Sequence, residues 1–314
     1  MPGAPSVLYI ALHFIWVSLL ILVVPISSLR PALLLPALLL VAALAQAQTI
    51  TGTVLDAKTH EPLPYVNIGV LRKGVGTVAN ELGAYQLRLE TAQATDTVRV
   101  SSLGYRPRLL RVQELQQRPA VELSPEAVVL REVKVKAKGL YKRTRVLGFN
   151  KPDASGTLSM SSNDLGTEIG SVINLKNKPT RLLNANFNVA YNQSGPLTFR
   201  VNIYRLLPNG KPSEEKLLRR DVIVKTSVEK GPISVDLTPD QLILDEDFML
   251  TLEWIGGPEN AKVKSQLAFV AGLGYANNDF YLRQTSQASW ERASVGAVLA
   301  GMQPKISFYV TVQD

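Results

Sequence analysis

Few side chains in this 314-residue sequence are equipped for catalysis. There is no cysteine, which removes thiolate nucleophiles, thiolate metal sites, disulfide scaffolds and a lipidated N-terminal Cys. Two histidines are present, and His13 sits in an apolar N-terminal run, so His60 is the one imidazole left for the rest of the chain. Zinc hydrolases commonly draw on two or three His ligands, so most such designs are out of reach. His60 itself lies in a Pro-containing loop with no carboxylate or second His at ligand spacing, and a surface position is expected for it. The G-x-S-x-G elbow, H-E-x-x-H and the Walker glycine loop are all absent. Carboxylate pairs for glycoside cleavage have no local signature, so a hydrolase using groups such as Glu253 or Asp279 stays open as the alternative. No catalytic residue, metal or cofactor is assigned.

Four groups could bind rather than react. Asp240, Asp245, Glu246 and Asp247 are hard oxygen ligands of the kind calcium takes, but they lack the spacing of a calcium loop and read as a polar turn before a strand. Trp254, Tyr275, Phe280, Tyr281 and Trp290 form an aromatic set. Alternation assigns Trp254 and Phe280 to a core, which leaves Trp290, Tyr275 and Tyr281 as the candidate ligand-binding residues, able to stack on sugar rings from an exposed face. Asn184, Asn186 and Asn188, with Asn202 on a neighbouring strand, could hydrogen-bond a polar ligand, although a wet sheet face is the plainer reading. Arg131, Lys134, Lys136, Lys138, Lys142, Arg143 and Arg145 fall within 15 residues. Such a run can dock on phosphate-rich polymers. It lacks an aromatic stacking series, so nucleic acid is not expected as a partner. The plainer reading is a solvated linker and an edge strand whose lysines discourage sheet-to-sheet association.

The elements that must hold these residues are strands. Val66, Ile68 and Val70 alternate with Asn67 and Gly69, and Tyr85, Leu87 and Leu89 with Gln86 and Arg88. Shorter alternations follow at Val98/Val100, Val121/Leu123 and Val133/Val135, separated by turn formers such as Pro62, Gly74, Gly76 and Gly83. Gly83 is expected to supply a positive φ in a hairpin turn. Beyond residue 157 the pattern repeats: Leu183, Ala185, Phe187, Val189 and Tyr191; Leu197, Phe199, Val201 and Ile203; Phe248, Leu250, Leu252 and Trp254; and Ile306, Phe308, Val310 and Val312. Short strands at this spacing with no helical period between them predict an all-β chain of two sandwiches, the second an antiparallel sandwich or jelly roll.

Ile50-Thr51-Gly52-Thr53-Val54-Leu55-Asp56, Thr59-His60-Glu61-Pro62-Leu63-Pro64-Tyr65, Gly83-Ala84-Tyr85 and Asp96 to Tyr105 resemble, in order, the carboxypeptidase regulatory-like domain of bacterial envelope proteins. That resemblance implies a seven-stranded, transthyretin-like sandwich that carries no peptidase active site; Tyr65, Tyr85 and Tyr105 then read as core or corner tyrosines. Leu130 to Ala137 is similar to the segment leading into the plug of TonB-dependent receptors, but too little chain follows for a plug and a barrel of about 22 strands. Phe199 to Tyr204, Pro208 to Pro212 and Phe248 to Trp254 resemble a C-terminal domain of exported Bacteroidetes-type proteins that has no assigned chemistry.

The opening residues read as an address. Val7 to Val24 is nearly all apolar, Arg30 precedes a second apolar run, and Ala43-Leu44-Ala45-Gln46-Ala47 suits signal peptidase. The rival is a membrane anchor, because about 18 apolar residues just span a bilayer. The expected organisation is therefore an apolar helical leader at 1–47, a regulatory-like sandwich at 48–137, a basic linker at 138–156 and a second sandwich at 157–314. The net charge is +8, of which the leader supplies only Arg30. These readings converge on an exported, non-enzymatic protein of the periplasm, outer membrane or cell surface. It would bind a glycan or an envelope protein and touch a membrane only through an uncleaved leader. Besides the hydrolase, the other alternative is an accessory of a TonB-dependent uptake system.

Overall fold

The computed structural model describes residues 48–89, 91–126, 141–152, 156–161, 165–176, 178–257, 266–274, 280–293 and 302–314. The leader, the expected Val133/Val135 strand, Arg131 to Lys138 of the basic run, Tyr275 and Asp279 lie outside these residues. Gln48–Asp314 forms one compact unit.

The first sandwich has seven strands: β1 (Thr49–Asp56), β2 (Asn67–Val70), β3 (Gly76–Val78), β4 (Ala84–Arg88), β5 (Thr97–Ser101), β6 (Arg108–Arg111) and β7 (Ala120–Leu123), with a short helix α1 (Val112–Gln117) before the last. One sheet runs β4-β1-β7 and the other β3-β2-β5-β6. Their inward residues Val54, Ile68, Leu87, Val98, Val100 and Val121 are closed to solvent together with Leu115 of α1. β6 and α1 escape a reading by period, since Arg-Leu-Leu-Arg does not alternate and six residues are too few to show a helical repeat. Gly83 has φ +70°, and the Asn80 side chain accepts the N–H groups of Leu82 and Ala84 at 2.9 and 3.0 Å, which closes the turn. Tyr85 donates to the Pro119 carbonyl at 2.7 Å, and its burial pushes the phenol up to about 12. Tyr105 donates to Asp56 at 2.9 Å. His60 is exposed, as expected, although folding brings it 3.2 Å from Glu122.

The second sandwich comprises β8 (Thr144–Gly148), β9 (Gly156–Ser161), β10 (Glu168–Ile173), β11 (Thr180–Asn192), β12 (Leu197–Leu206), β13 (Pro212–Lys216), β14 (Val222–Thr226), β15 (Gly231–Asp236), β16 (Ile243–Leu244), β17 (Phe248–Gly256), β18 (Gln266–Gly274), β19 (Phe280–Arg283), β20 (Glu291–Arg292), β21 (Gln303–Ile306) and β22 (Phe308–Gln313). One sheet follows β13-β12-β17-β10-β19-β20 with β14 on β12, and the other β21-β18-β11-β22-β8 with β9, β15 and β16 alongside. A chain of rings joins the sheets, edge-on from Phe187 to Phe308 at 4.7 Å, Phe308 to Phe269 at 5.2 Å and Phe269 to Phe199 at 6.5 Å, and tilted from Phe199 to Trp254 at 5.8 Å. Each ring removed from water contributes about 1.5–3 kcal/mol.

Two expectations from alternation change here. Leu183 and Tyr191 were assigned to the inward set with Ala185, Phe187 and Val189. Bulges between Leu182 and Asn184 and between Val189 and Tyr191 reset the register, so Leu182 is the buried residue and Tyr191 reaches Ser159 at 3.2 Å. The asparagines do not form a wet face either. Asn186 and Asn188 are buried, and Asn188 donates to Ser307 at 2.8 Å, while Asn202 belongs to the opposite sheet. The expected 138–156 linker also shrinks, because Thr144–Gly148 pairs with β22 as an edge strand and Arg145 grips Asp314 from both ends of its guanidinium.

The sandwiches meet along the outer face of the seven-stranded sheet. Ile255 packs on Tyr65 and Val78, and Lys225 pairs with Glu81. The segment Gln284–Trp290, which follows β19, lies over the β2–β3 hairpin: the Gln287 carbonyl accepts the Arg72 N–H at 3.0 Å, and its side chain meets Arg99 and Ser101. The hairpin glycines make this approach possible, since a Cβ on Gly76 would lie 2.7 Å from Thr285 and one on Gly69 would lie 2.8 Å from Gln287. Gly76→Val should therefore cost about 1–3 kcal/mol by overpacking. Urea unfolding followed by tryptophan fluorescence and far-UV circular dichroism should lose its single transition in that variant; an unchanged midpoint would show that this contact is dispensable.

Candidate functional site

Alternation along β12, β17, β10 and β19 sends one set of residues into the core and the other to the opposite face, which the first sandwich covers at Arg200 and Ile255 and Trp290 covers at Arg283 and Tyr204. That second set includes Arg200, Asn202 and Tyr204 of β12, Thr251 and Glu253 of β17, Glu168 of β10 and Arg283 of β19. Glu168 and Glu253 are 0% exposed, and both arginines are 2% exposed. A buried carboxylate survives only with compensation; Glu168 has it at both oxygens and Glu253 at one, its other oxygen having no hydrogen-bond partner among the described residues. Arg200 donates to Glu253 at 3.0 Å, to Asn67 of the first sandwich at 3.3 Å and to the Tyr65 carbonyl; its Nε forms an ion pair with Asp221 at 3.1 Å. Arg283 places Nε and one Nη at 2.9 and 2.6 Å from Glu168, and its other Nη at 2.9 Å from Glu214. Asn202 bridges the two clusters, donating to Glu168 at 2.8 Å and Glu253 at 3.2 Å. Tyr204 donates to Glu168 at 3.3 Å while accepting from Arg283 at 2.8 Å, and burial holds its phenol well above its ordinary range. Burial alone would raise Glu253, but Arg200, Lys216 and Arg283 outweigh it and hold the carboxyl below its usual range.

This is a carboxylate pair, and both of its members are closed to solvent. A general acid needs a proton to give and a path to substrate. The Glu253 carboxyl is held below its usual range by the neighbouring cations, and neither carboxylate reaches solvent.

Solvent reaches the neighbouring groove, about 600 Å³ in volume. Its walls are Trp290, Tyr281, Leu206 and Pro212, with Asn174, Asn209, Lys211, Glu214, Asp247, Ser289 and Arg292 among the polar residues. Thus two of the three candidate aromatics share one groove, and Tyr275 lies outside the described residues. They do not form an open platform. Tyr281 is buried with Tyr204 and Met249, and Trp290 already carries the Arg283 guanidinium 4.1 Å from its ring centre and Tyr204 edge-on at 5.6 Å. The Trp290 indole nitrogen is buried and has no hydrogen-bond partner among the described residues. The acidic group disperses: Asp240 binds Arg220 at 2.9 and 2.8 Å, Glu246 binds Arg205 at 3.0 Å, and Asp247 accepts the Leu175 N–H at 2.8 Å. Among the described residues no three such groups are placed to hold a metal. Sequence reasoning missed Lys211, Glu214, Arg283 and Arg292, because nothing local marks residues that converge only through sheet pairing.

Residues 50–135 match the family described as CarboxypepD_reg-like domain, in agreement with the resemblance read from the first sandwich's sequence. Among curated proteins none matches this sequence. Solved structures with similar chain paths include the cysteine protease and lectin-like domains of Cwp84, a surface layer associated protein of Clostridium difficile, at 10% identity and TM-score 0.39 over 87% of this chain and 60% of that one. The clostridial protease Cwp84 after propeptide cleavage aligns at 9% identity and TM-score 0.38, over 85% of this chain and 71% of that one. Infectious bursal disease virus, Gt strain, aligns at 10% and 0.26 over 84% and 63%. These likenesses are too distant to carry activity or ligand across.

Two outcomes follow from the buried network. Arg200→Met strands the Glu253 charge and should cost about 3–5 kcal/mol in urea unfolding, whereas Arg200→Met/Glu253→Met should recover much of the loss. A carboxyl depressed in the folded state stabilises above its unfolded pKa and ceases to do so as pH falls through the folded value. Stability should hold from neutrality to about pH 5 and decline below about pH 4; a thermal midpoint unchanged down to pH 3 would contradict this.

Proposed function

We propose that this protein is an exported, non-enzymatic binding module of the cell envelope, and that the groove at Trp290 takes a glycan. The observation that carries the reading is the groove itself, lined by the edges of Trp290 and Tyr281 together with Asn174, Asn209, Lys211 and Glu214. Sugars present apolar ring faces edged with hydroxyls, and a site of this make-up meets both. Export rests on the leader and its A-x-A end, and residence in the periplasm, the outer membrane or the cell surface follows from it. The first sandwich serves here as a support, docking on the sheet whose far end bears the groove. The sealed state of Glu168 and Glu253 weighs against the hydrolase alternative.

The folded protein should retain members of a glycan array, and Trp290→Ala should lower affinity about tenfold, or about 1.4 kcal/mol. Thermal unfolding of the variant separates lost binding from lost folding. An array that stays blank with folded protein, together with an empty pull-down from envelope extract, would sink the reading.

A further inference from the structure

We infer that Asn209 is a site of spontaneous deamidation, at which water converts the side-chain amide into a carboxylate and changes the groove wall. The sequence holds a single Asn-Gly pair, Asn209-Gly210, and both residues are exposed. The reaction begins when the Gly210 backbone nitrogen gives its proton to solvent base and attacks Asn209 Cγ. A Cγ–N bond forms, the Cγ–Nδ2 bond breaks, and ammonia leaves. Water then opens the five-membered imide at either carbonyl, giving aspartate or, with the main chain rerouted through the side chain, isoaspartate. One water is taken up and one ammonia is released.

Three features of the turn favour this step. Gly210 has no side chain to shield its nitrogen, and the space beside it is open: an added Cβ would meet no atom within 4 Å. The Lys211 N–H donates to Asn209 Oδ1 at 3.0 Å. It therefore already points at the oxygen that turns negative as the nitrogen adds to Cγ, the arrangement that stabilises a tetrahedral intermediate. The bond that restrains the attacking nitrogen, from the Gly210 N–H to the Leu207 carbonyl at 2.8 Å, belongs to an exposed hairpin turn, where local opening costs least. Asn67, Asn186, Asn188, Asn192 and Asn202 differ on both counts, being buried and followed by residues with side chains.

Either product alters the wall that Asn209 shares with Leu206, Leu207 and Pro212. Aspartate adds a negative charge next to Lys211. Isoaspartate lengthens the main chain by a carbon, so the two bonds that close the turn, Gly210 N–H to Leu207 and Leu207 N–H to Lys211, both at 2.8 Å, lose their register. The reaction does not depend on what the groove holds.

The test incubates the folded full-length protein for days at mildly alkaline pH and maps its tryptic peptides by mass spectrometry. Peptide 206–216, which Pro212 keeps whole past Lys211, should gain the mass that exchanges an amide for a carboxyl and become a substrate of isoaspartate methyltransferase. Peptides carrying the buried asparagines should do neither. Gly210→Ala should lose both signals, with circular dichroism reporting its fold. Asn209→Gln, which keeps the turn glycine but would have to close a six-membered ring, should lose them as well. An amide at 209 that persists in the folded protein, whether or not the urea-unfolded chain converts, overturns the inference. So does equal conversion in Gly210→Ala, or earlier conversion at a buried asparagine.

Discussion

Two arginines and two glutamates closed off from water are the constraint around which the molecule is arranged. An isolated charge in such a place is prohibitively costly, and a pair only breaks even when geometry and additional hydrogen bonds compensate for lost hydration. Here Asn202, Thr251 and Tyr204 supply those bonds from the second sandwich, and Asn67 and the Tyr65 carbonyl supply them from the first. Apolar surface would tolerate many ways of laying one sandwich on another. A guanidinium that must find one carbonyl and one amide tolerates few. The ionic layer therefore contributes less to the strength of docking than to its uniqueness, while Ile255 with Tyr65 and Val78 provides the apolar part.

Period-two alternation carries much of the architecture. It marks the inward residues of both sandwiches and separates Trp254 and Phe280 from the other aromatics, as the buried cluster bears out. It even assigns Arg200, Asn202 and Glu253 to the face opposite the core. It cannot tell that this face is dry, because the cover, the first sandwich over Arg200 and Trp290 over Arg283, is brought there by folding. A polar residue pointing away from a core looks the same in sequence whether it meets water or another protein surface. The bulges in β11 show a related limit: one inserted residue exchanges Leu183 for Leu182 inside, and no residue type there announces the slip.

The glycines of the β2–β3 hairpin are a third case. Gly74 and Gly76 read as turn formers, yet their missing side chains are also what let Gln284 and Thr285 approach. Turn chemistry and close packing leave the same letter in a sequence, and only coordinates separate them. The groove is similar: Trp290 and Tyr281 stand out as aromatics, whereas Lys211 and Glu214 belong to a hairpin that looks like ordinary surface until β19 and β20 are set beside it.

Gln284–Trp290 does two jobs with one short stretch of backbone. Its first half grips the regulatory-type domain through Gln284, Thr285 and Gln287, and its last two residues are wall to the groove. Arg283, just before it, is clamped between Glu168 and the Trp290 ring. A lever this short has no slack, so the shape of the cleft and the seating of the neighbouring domain are one thermodynamic variable. An occupant of the cleft that favours one seating of the domain over another would shift that seating, and by reciprocity a pull on the domain would alter what the cleft holds by the same free energy.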